Sequence, residues 1–321
     1  MNALRHQLIA AFGPSLRQGE PLAPRTWMRV GGPAEFLIET GRPEQVVAAH
    51  AICRCLGAPF FLLGGGSNVL VDDEGLAGLT VIYRDGALRW QPEKGLVTAD
   101  AGVALERLVE AVSARGWGDL TFAAGIPGTV GGALAGGAGA YGRLLVETVC
   151  TARVLRPDGS VADLPVQALG VRYRDSDLLQ RGEIVLDITF GGFQPEDAAA
   201  LSARIGAIKR ERAGKHPPPE LPCAGSFFKN LPPPNPGAQR VAAGLILDRC
   251  GAKEMHSGGA AVFERHANII VNAGGATAAD ILSLARRMAD RVQARYGIRL
   301  EPEVRYLSNK PIKSVIVRDP A

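Results

Sequence analysis

Two glycine-rich turns are the residues of this chain whose type and spacing most plainly suit a chemical task. "GGGSN" (64–68) separates the apolar runs "FFLL" and "VLV", and "AGIPGTVGGALAGGAGAYG" spans 124–142. Glycine is needed where the backbone takes a positive φ or where another group must approach the main chain closely. Successive exposed backbone N–H groups form a concavity that receives anions. Two such turns suit a ligand with two phosphates; close backbone packing is the alternative reading. "GAGAYG" (137–142) matches G-x-G-x-x-G, but "RLLVETVC" after it is not a convincing helix, so a Rossmann site is disfavoured. No G-x-x-x-x-G-K-[ST] occurs, which disfavours a P-loop enzyme.

The elements around these turns are readable in outline. Residues 43–56 read as a helix stopped by Gly57, and 79–83 as a strand. Leu105, Leu108, Val109 and Val112 place a helix over 105–114. Pro157-Asp158-Gly159 between two strand-like runs predicts a hairpin over 153–164. A strand follows at 183–190 and a polar helix at 195–213. "KHPPPELP" then breaks regular structure, because proline cannot continue a helix. Beyond it, 238–249 read as helix, "AVFERHANIIVN" as a strand and 298–307 as a final strand. Thr277 and Asp280 open a helix with a capping box that uses Asp in place of Glu. This is an α+β pattern, with expected domains at 1–75, 76–212 and 213–321.

The chain has 321 residues and a net charge of +4. That mild bias, without a basic block, disfavours nucleic acid and fits an anionic small ligand. Five cysteines, an odd number without C-x-x-C, argue against a disulfide framework or a zinc ribbon, so no metal is expected. No run of eighteen apolar residues occurs, so no membrane partner is expected and a cytoplasmic protein is read.

Several motifs together resemble the UDP-N-acetylenolpyruvoylglucosamine reductase family: "RVGGPAEF", "LLGGGSNVLV", "AAGIPGTVGGAL", "YRDSDL", "AGSFFKN", "AGLILDRCGAK", "SGGAAVFERHANIIVN" and "LEPEV". They run in the family's order from about Thr26 to Leu307. The resemblance implies a two-subdomain FAD-binding unit of the vanillyl-alcohol-oxidase type and a C-terminal α/β substrate-binding domain. It implies NADPH as reductant, FAD as cofactor and a UDP-sugar enolpyruvate as substrate; the first glycine turn holds no histidine or cysteine, so the FAD is expected to be non-covalent, and a monomer is expected. Gly64, Gly65, Gly66, Ser67 and Asn68 would hold FAD, together with Gly125, Ile126, Pro127, Gly128, Thr129, Gly131 and Gly132. Ser226 would be the proton donor, and Arg174 and Glu303 would stabilise the enolic intermediate. Tyr173, Lys229 and Asn230 would contact substrate. His266 and Asn268 read as scaffolding.

The alternatives are another flavin oxidoreductase of the same superfamily or a non-redox nucleotide-sugar-binding protein. Three departures from the family stand out. Gly137 replaces a usual Asn, Leu231 a usual Pro, and the spacing from Arg174 to Ser226 resembles the shorter type without a tyrosine-bearing loop.

Overall fold

The computed structural model describes residues 2–310. They form two compact units, one of residues 2–18, 36–65 and 78–212, the other of residues 19–35, 66–77 and 213–310. The three successive stretches expected from sequence differ from this grouping. Segments 19–35 and 66–77 cluster with the C-terminal part, because Met28, Val30 and Leu70 bury their side chains in its core.

Helix α1 (Asn2–Phe12) opens the first unit and was not read from sequence. Its Leu4, Leu8 and Phe12 enter the same core as Val46, Ala49 and Cys53 of α2 (Pro43–Leu56). Gly57 closes α2 with φ 61°, a left-handed conformation that glycine adopts without a Cβ penalty. Phe60–Leu63 pairs in parallel with Leu79–Ile82.

A five-stranded antiparallel sheet takes the order Val161–Pro165, Val149–Leu155, Ile184–Phe190, Leu96–Asp100, Leu88–Gln91. The Pro157-Asp158-Gly159 hairpin forms as its turn chemistry predicts, with Asp158 Oδ1 accepting from Ser160 N at 2.8 Å. Helix α3 (Leu105–Ser113) buries Leu105, Leu108, Val109 and Val112.

One face of this sheet carries a row of charged side chains, two carboxylates flanked by arginines. Arg153 faces Asp187, and Asp187 faces Asp100, in register across adjacent strands. Arg89 Nη1 reaches Asp100 Oδ1 at 2.7 Å, and Arg153 Nη2 reaches Asp187 Oδ2 at 2.5 Å. Burial pushes the Asp187 carboxyl up, and the two guanidinium groups oppose that push. The row lines a cavity of about 970 Å³ that includes no residue assigned to the candidate site. Its buried carboxylates are neutralised by its own arginines, so the charge needs no ligand to balance it.

Helix α4 (Val130–Ala135) lies inside the second glycine turn. Helix α5 (Asp177–Gln180) follows the "YRDSD" segment, and α6 (Ala198–Lys215) ends the unit's chain.

The second unit holds an antiparallel sheet of order Cys223–Ser226, Ile269–Asn272, Ala260–Val262, His256–Ser257. Helix α8 (Ala278–Tyr296) covers its core with Ile281, Leu284, Ala285, Met288 and Val292. The capping box forms as read. Asp280 N donates to Thr277 Oγ1 and Thr277 N donates to Asp280 Oδ2, both at 3.0 Å. Asp73 adds a further cap, accepting from Ala278 N at 2.7 Å and Ala279 N at 3.0 Å. A carboxylate is favoured there by the helix dipole.

Three sequence expectations in this unit need correction. Helix α7 spans Ala243–Arg249 rather than 238–249, because Val241 is bridged to Leu231. "AVFERHANIIVN" is two paired strands, Ala260–Val262 and Ile269–Asn272, joined by a turn in which His266 N donates to Phe263 O. The last strand is confined to Arg305–Leu307, which pairs in parallel with Val69–Val71. Residues 301–303 instead bond to the segment after Ser226.

Candidate active site

The two glycine turns meet within the first unit. A Cβ on Gly64 would overlap Thr129 Oγ1, and one on Gly65 would stand 2.9 Å from Gly128 Cα. Neither is a contact that real Cβ atoms make, so glycine here serves close approach of one turn to the other. Gly66 belongs to the second unit and has φ 64°; a side chain there would overlap Arg25 O. Gly125 and Gly128 have φ 68° and 107°. Close main-chain approach and positive φ thus account for glycine at these positions of the two turns.

The second turn is held by groups that sequence reasoning missed. Gly125 N donates to Glu106 Oε2 at 2.9 Å, and Gly125 O accepts from Arg212 Nε at 3.0 Å. Lys209 pairs with Glu106 and, at 2.8 Å, with Glu110. Helices α3 and α6 therefore clamp Gly125 on both sides of its peptide. Burial lowers the pKa of Arg212, and the Arg174 charge lowers it further.

Thr129 caps α4, with its hydroxyl accepting from Gly132 N at 3.3 Å. The N–H groups of Val130 and Gly131 are already bonded to Val103 O at 2.8 Å and Ala101 O at 2.9 Å. A Cβ on Gly131 would sit 2.5 Å from Ala101 Cβ, so that glycine is explained by packing. Ile126 N donates to Ala123 O, closing the turn before Pro127.

Arg174 lies in the two-residue loop of a hairpin formed by Val171–Arg172 and Asp175–Ser176. Its φ is 55°, a strained conformation for a non-glycine residue. Its guanidinium stands 5.5 Å from the centre of the Tyr173 ring. Arg172 staples the hairpin through Asp175 at 2.6 Å and Asp177 at 2.5 Å. The end of α4 and the residues after it hold the hairpin: Ser176 Oγ donates to Ala135 O at 2.6 Å, and Arg174 N to Gly137 O at 3.2 Å. Gly137, the departure noted above, has φ 58°. A Cβ there would overlap Arg172 O and stand 2.9 Å from Asp175 N.

In the second unit, Ser226 ends a strand with a bulge. Cys223 faces Val271 and Ser226 faces Ile269, leaving one extra residue on the serine strand. Gly225, at φ 74°, makes that bulge possible. Bulges re-aim side chains at the ends of pairing.

The residues after Ser226 are fixed on two sides. Phe227 N donates to Asn268 O at 2.7 Å. The buried Asn268 side chain bonds both Phe228 N at 2.9 Å and Phe228 O at 2.8 Å. On the other side, Glu303 N donates to Phe227 O at 2.7 Å, and Lys229 N to Glu301 O at 2.9 Å. Ser226 and Glu303 are therefore brought together by main-chain bonds, whereas Arg174 belongs to the first unit.

Lys229 Nζ stands 3.3 Å from Glu301 Oε2, and Asn230 Oδ1 accepts from Ala243 N at 3.2 Å, capping α7. Leu231 N donates to Val241 O at 2.9 Å, a bond a proline in its place could not make. Asn68 Nδ2 donates to Glu303 O at 3.1 Å. His266 Nδ1 accepts from Asn268 N at 3.3 Å, and burial lowers its pKa, as suits a neutral scaffolding histidine. Among the described residues no group of three or more His, Cys, Asp and Glu could hold a metal ion, and no helix is long and apolar enough to cross a membrane.

Residues 34–165 match the model of an FAD binding domain, and residues 217–307 that of the C-terminal domain of UDP-N-acetylenolpyruvoylglucosamine reductase. An FAD domain joined to that second domain defines an FAD-dependent oxidoreductase. The UDP-N-acetylenolpyruvoylglucosamine reductase of Gloeobacter violaceus is 38% identical over 91% of this chain and 96% of its own length. That of Geobacter metallireducens is 37% identical over 95% and 98%. The crystal structure of UDP-N-acetylenolpyruvylglucosamine reductase from Thermus caldophilus superposes with a TM-score of 0.72 at 31% identity, covering 91% of this chain and 98% of that one. The chain belongs to the UDP-N-acetylenolpyruvoylglucosamine reductase family.

Proposed function

We propose that the chain reduces the enolpyruvyl group of UDP-N-acetylglucosamine enolpyruvate to give UDP-N-acetylmuramate, with NADPH as the reductant. FAD, when bound, supplies the two-electron chemistry of hydride transfer. The turns at Gly64–Asn68 and Gly125–Gly132 would hold it without a covalent link, since no histidine or cysteine lies in the first turn.

The chain's own residues meet the charge and the proton. Hydride arriving at the methylene carbon places negative charge on the enol carboxylate. The Arg174 guanidinium suits that charge, because its planar fork pairs a carboxylate through two hydrogen bonds. The Ser226 hydroxyl delivers a proton to the neighbouring carbon. Glu303 assists if protonated or if it orients the donor. Tyr173, Lys229 and Asn230 would lie on the sugar-nucleotide side, although Lys229 is already paired with Glu301 and Asn230 with the start of α7.

The observation that supports this reading most is the pinned main chain at Ser226 and Glu303, where the glycine bulge shapes the first and the Glu303 N–H to Phe227 O bond ties the second to the residue that follows Ser226. The test is NADPH oxidation by the flavin-loaded protein, with and without the UDP-sugar enolpyruvate. Consumption that depends on the sugar substrate is expected; equal consumption without it would overturn the reading. A protein that takes up no flavin on incubation with FAD would favour a non-redox nucleotide-sugar-binding role.

Gly137→Ala should lower sugar-dependent turnover by about 10²-fold, because displacing a reacting group by about 1 Å costs that much. The methyl group would overlap Arg172 O and push the hairpin that presents Arg174. Stopped-flow comparison of the two half-reactions reads the effect, and unchanged sugar-dependent reoxidation would refute it.

A further inference from the structure

We propose that Asn68 is a positioning residue for Glu303, so that the last residue of the first glycine turn sets the place of the carboxyl group beside Ser226. The inference rests on the role given to Glu303 above. Asn68 belongs to the turn assigned to the cofactor, yet its side chain and its main-chain carbonyl bond to the segment around Glu303. Its carboxamide Nδ2 donates to Glu303 O at 3.1 Å, and its own main-chain O accepts from Arg305 N at 3.1 Å.

The next residues continue the link. Val69, Leu70 and Val71 pair in parallel with Arg305, Tyr306 and Leu307, and Asp72 N donates to Leu307 O at 2.9 Å. Two segments 235 positions apart are thereby zipped together, with Asn68 and Glu303 at the open end.

Glu303 lies just before this pairing begins, outside the strand. Its peptide N–H is fixed by Phe227 O at 2.7 Å, next to Ser226. Asn68 acts on the following carbonyl. Together the two bonds fix the peptide groups on both sides of the Glu303 Cα, and with them the origin of its side chain. An asparagine suits this task because it is short and carries an N–H donor and a carbonyl acceptor on one side chain. An aspartate of the same shape would set a carboxylate oxygen against the Glu303 carbonyl. It would repel where Asn68 attracts.

The experiment compares Asn68→Asp and Asn68→Ser with the parent flavoprotein, each also in a Glu303→Gln background. Asn68→Asp should lower kcat for the UDP-sugar enolpyruvate about 10- to 100-fold, the range expected when a reacting group is displaced by up to about 1 Å. KM should change less than kcat. The loss in the sugar-dependent half-reaction should exceed any change in flavin content or in the rate of flavin reduction by NADPH. Asn68→Ser, whose hydroxyl can donate, should recover part of the loss. Hydrogen exchange at the Arg305 amide should quicken in Asn68→Asp. In the Glu303→Gln background, Asn68→Asp should cost little more.

Loss of flavin from both Asn68 variants would overturn the proposal and return Asn68 to the cofactor. Full additivity with Glu303→Gln would overturn it as well, since the two residues would then act separately. Normal kcat in both Asn68 variants would do the same. A fully active Glu303→Gln protein would instead overturn the role of Glu303, a result read from that variant alone.

Discussion

Ser226→Ala is expected to slow sugar-dependent reoxidation by about 10²–10⁴-fold, the usual worth of a positioned proton donor, while flavin reduction by NADPH stays near the parent rate. The separation follows from what holds the segment in place. Its bonds are made by the main chain of Phe227 and Phe228, by the Asn268 side chain and by Glu303 N–H. The serine hydroxyl contributes to none of them, so its removal leaves the frame standing. Gly225 and the bulge that aims residue 226 are untouched as well. A defect confined to the second half-reaction is therefore a chemical defect. Single-turnover measurements with the flavin monitored in each half-reaction decide it. Equal slowing of both halves would mean that Ser226 supports the site's architecture and does not deliver the proton.

The frame around Ser226 also shows where sequence reasoning succeeds. The Pro157-Asp158-Gly159 hairpin and helix α8 carry their signals locally: a turn dipeptide with its Asx bond, and a Thr277–Asp280 box three residues apart. The buried stripe of α3 is likewise written at helical spacing. Helix α4 is not, because "VGGALA" has two glycines, each costing about 1 kcal/mol relative to alanine. It forms because Val130 N and Gly131 N bond to Val103 O and Ala101 O, partners that a periodicity search does not see. The same limit hid Glu106 and Arg212. Each looks like a solvated helical charge, and their shared partner, Gly125, is 19 and 87 positions away. Asn268 reads as scaffolding, but the group it holds is not visible in the sequence. Its effect lies in the Phe228 main chain 40 positions back. Motifs thus expose the residues that bear chemistry, while the residues that aim them are set by tertiary hydrogen bonds.

Gly65→Val bears on the other half of the site. Gly65 is not at positive φ, so backbone strain is not the issue. Its Cβ would stand 2.9 Å from Gly128 Cα, with Gly128 C at 3.4 Å and Thr129 N at 3.6 Å. Main chain cannot rotate away as a flexible side chain can, so the two turns must separate. Overpacking of this kind costs about 1–3 kcal/mol, which weakens FAD binding by about five- to 150-fold if the bound form needs the parent spacing. Gly142→Ala is the control. It changes a glycine at φ 76° with nothing within 4 Å of its Cβ, so it adds strain without forcing the turns apart. FAD titration should show weakened binding for Gly65→Val and near-parent binding for Gly142→Ala. Circular dichroism should show both proteins folded, since neither the core around Leu105, Leu108 and Val109 nor that around Ile281, Leu284 and Met288 includes either position. Full flavin affinity in Gly65→Val would make the contact between the turns an ordinary packing feature and leave the cradle without its close approach.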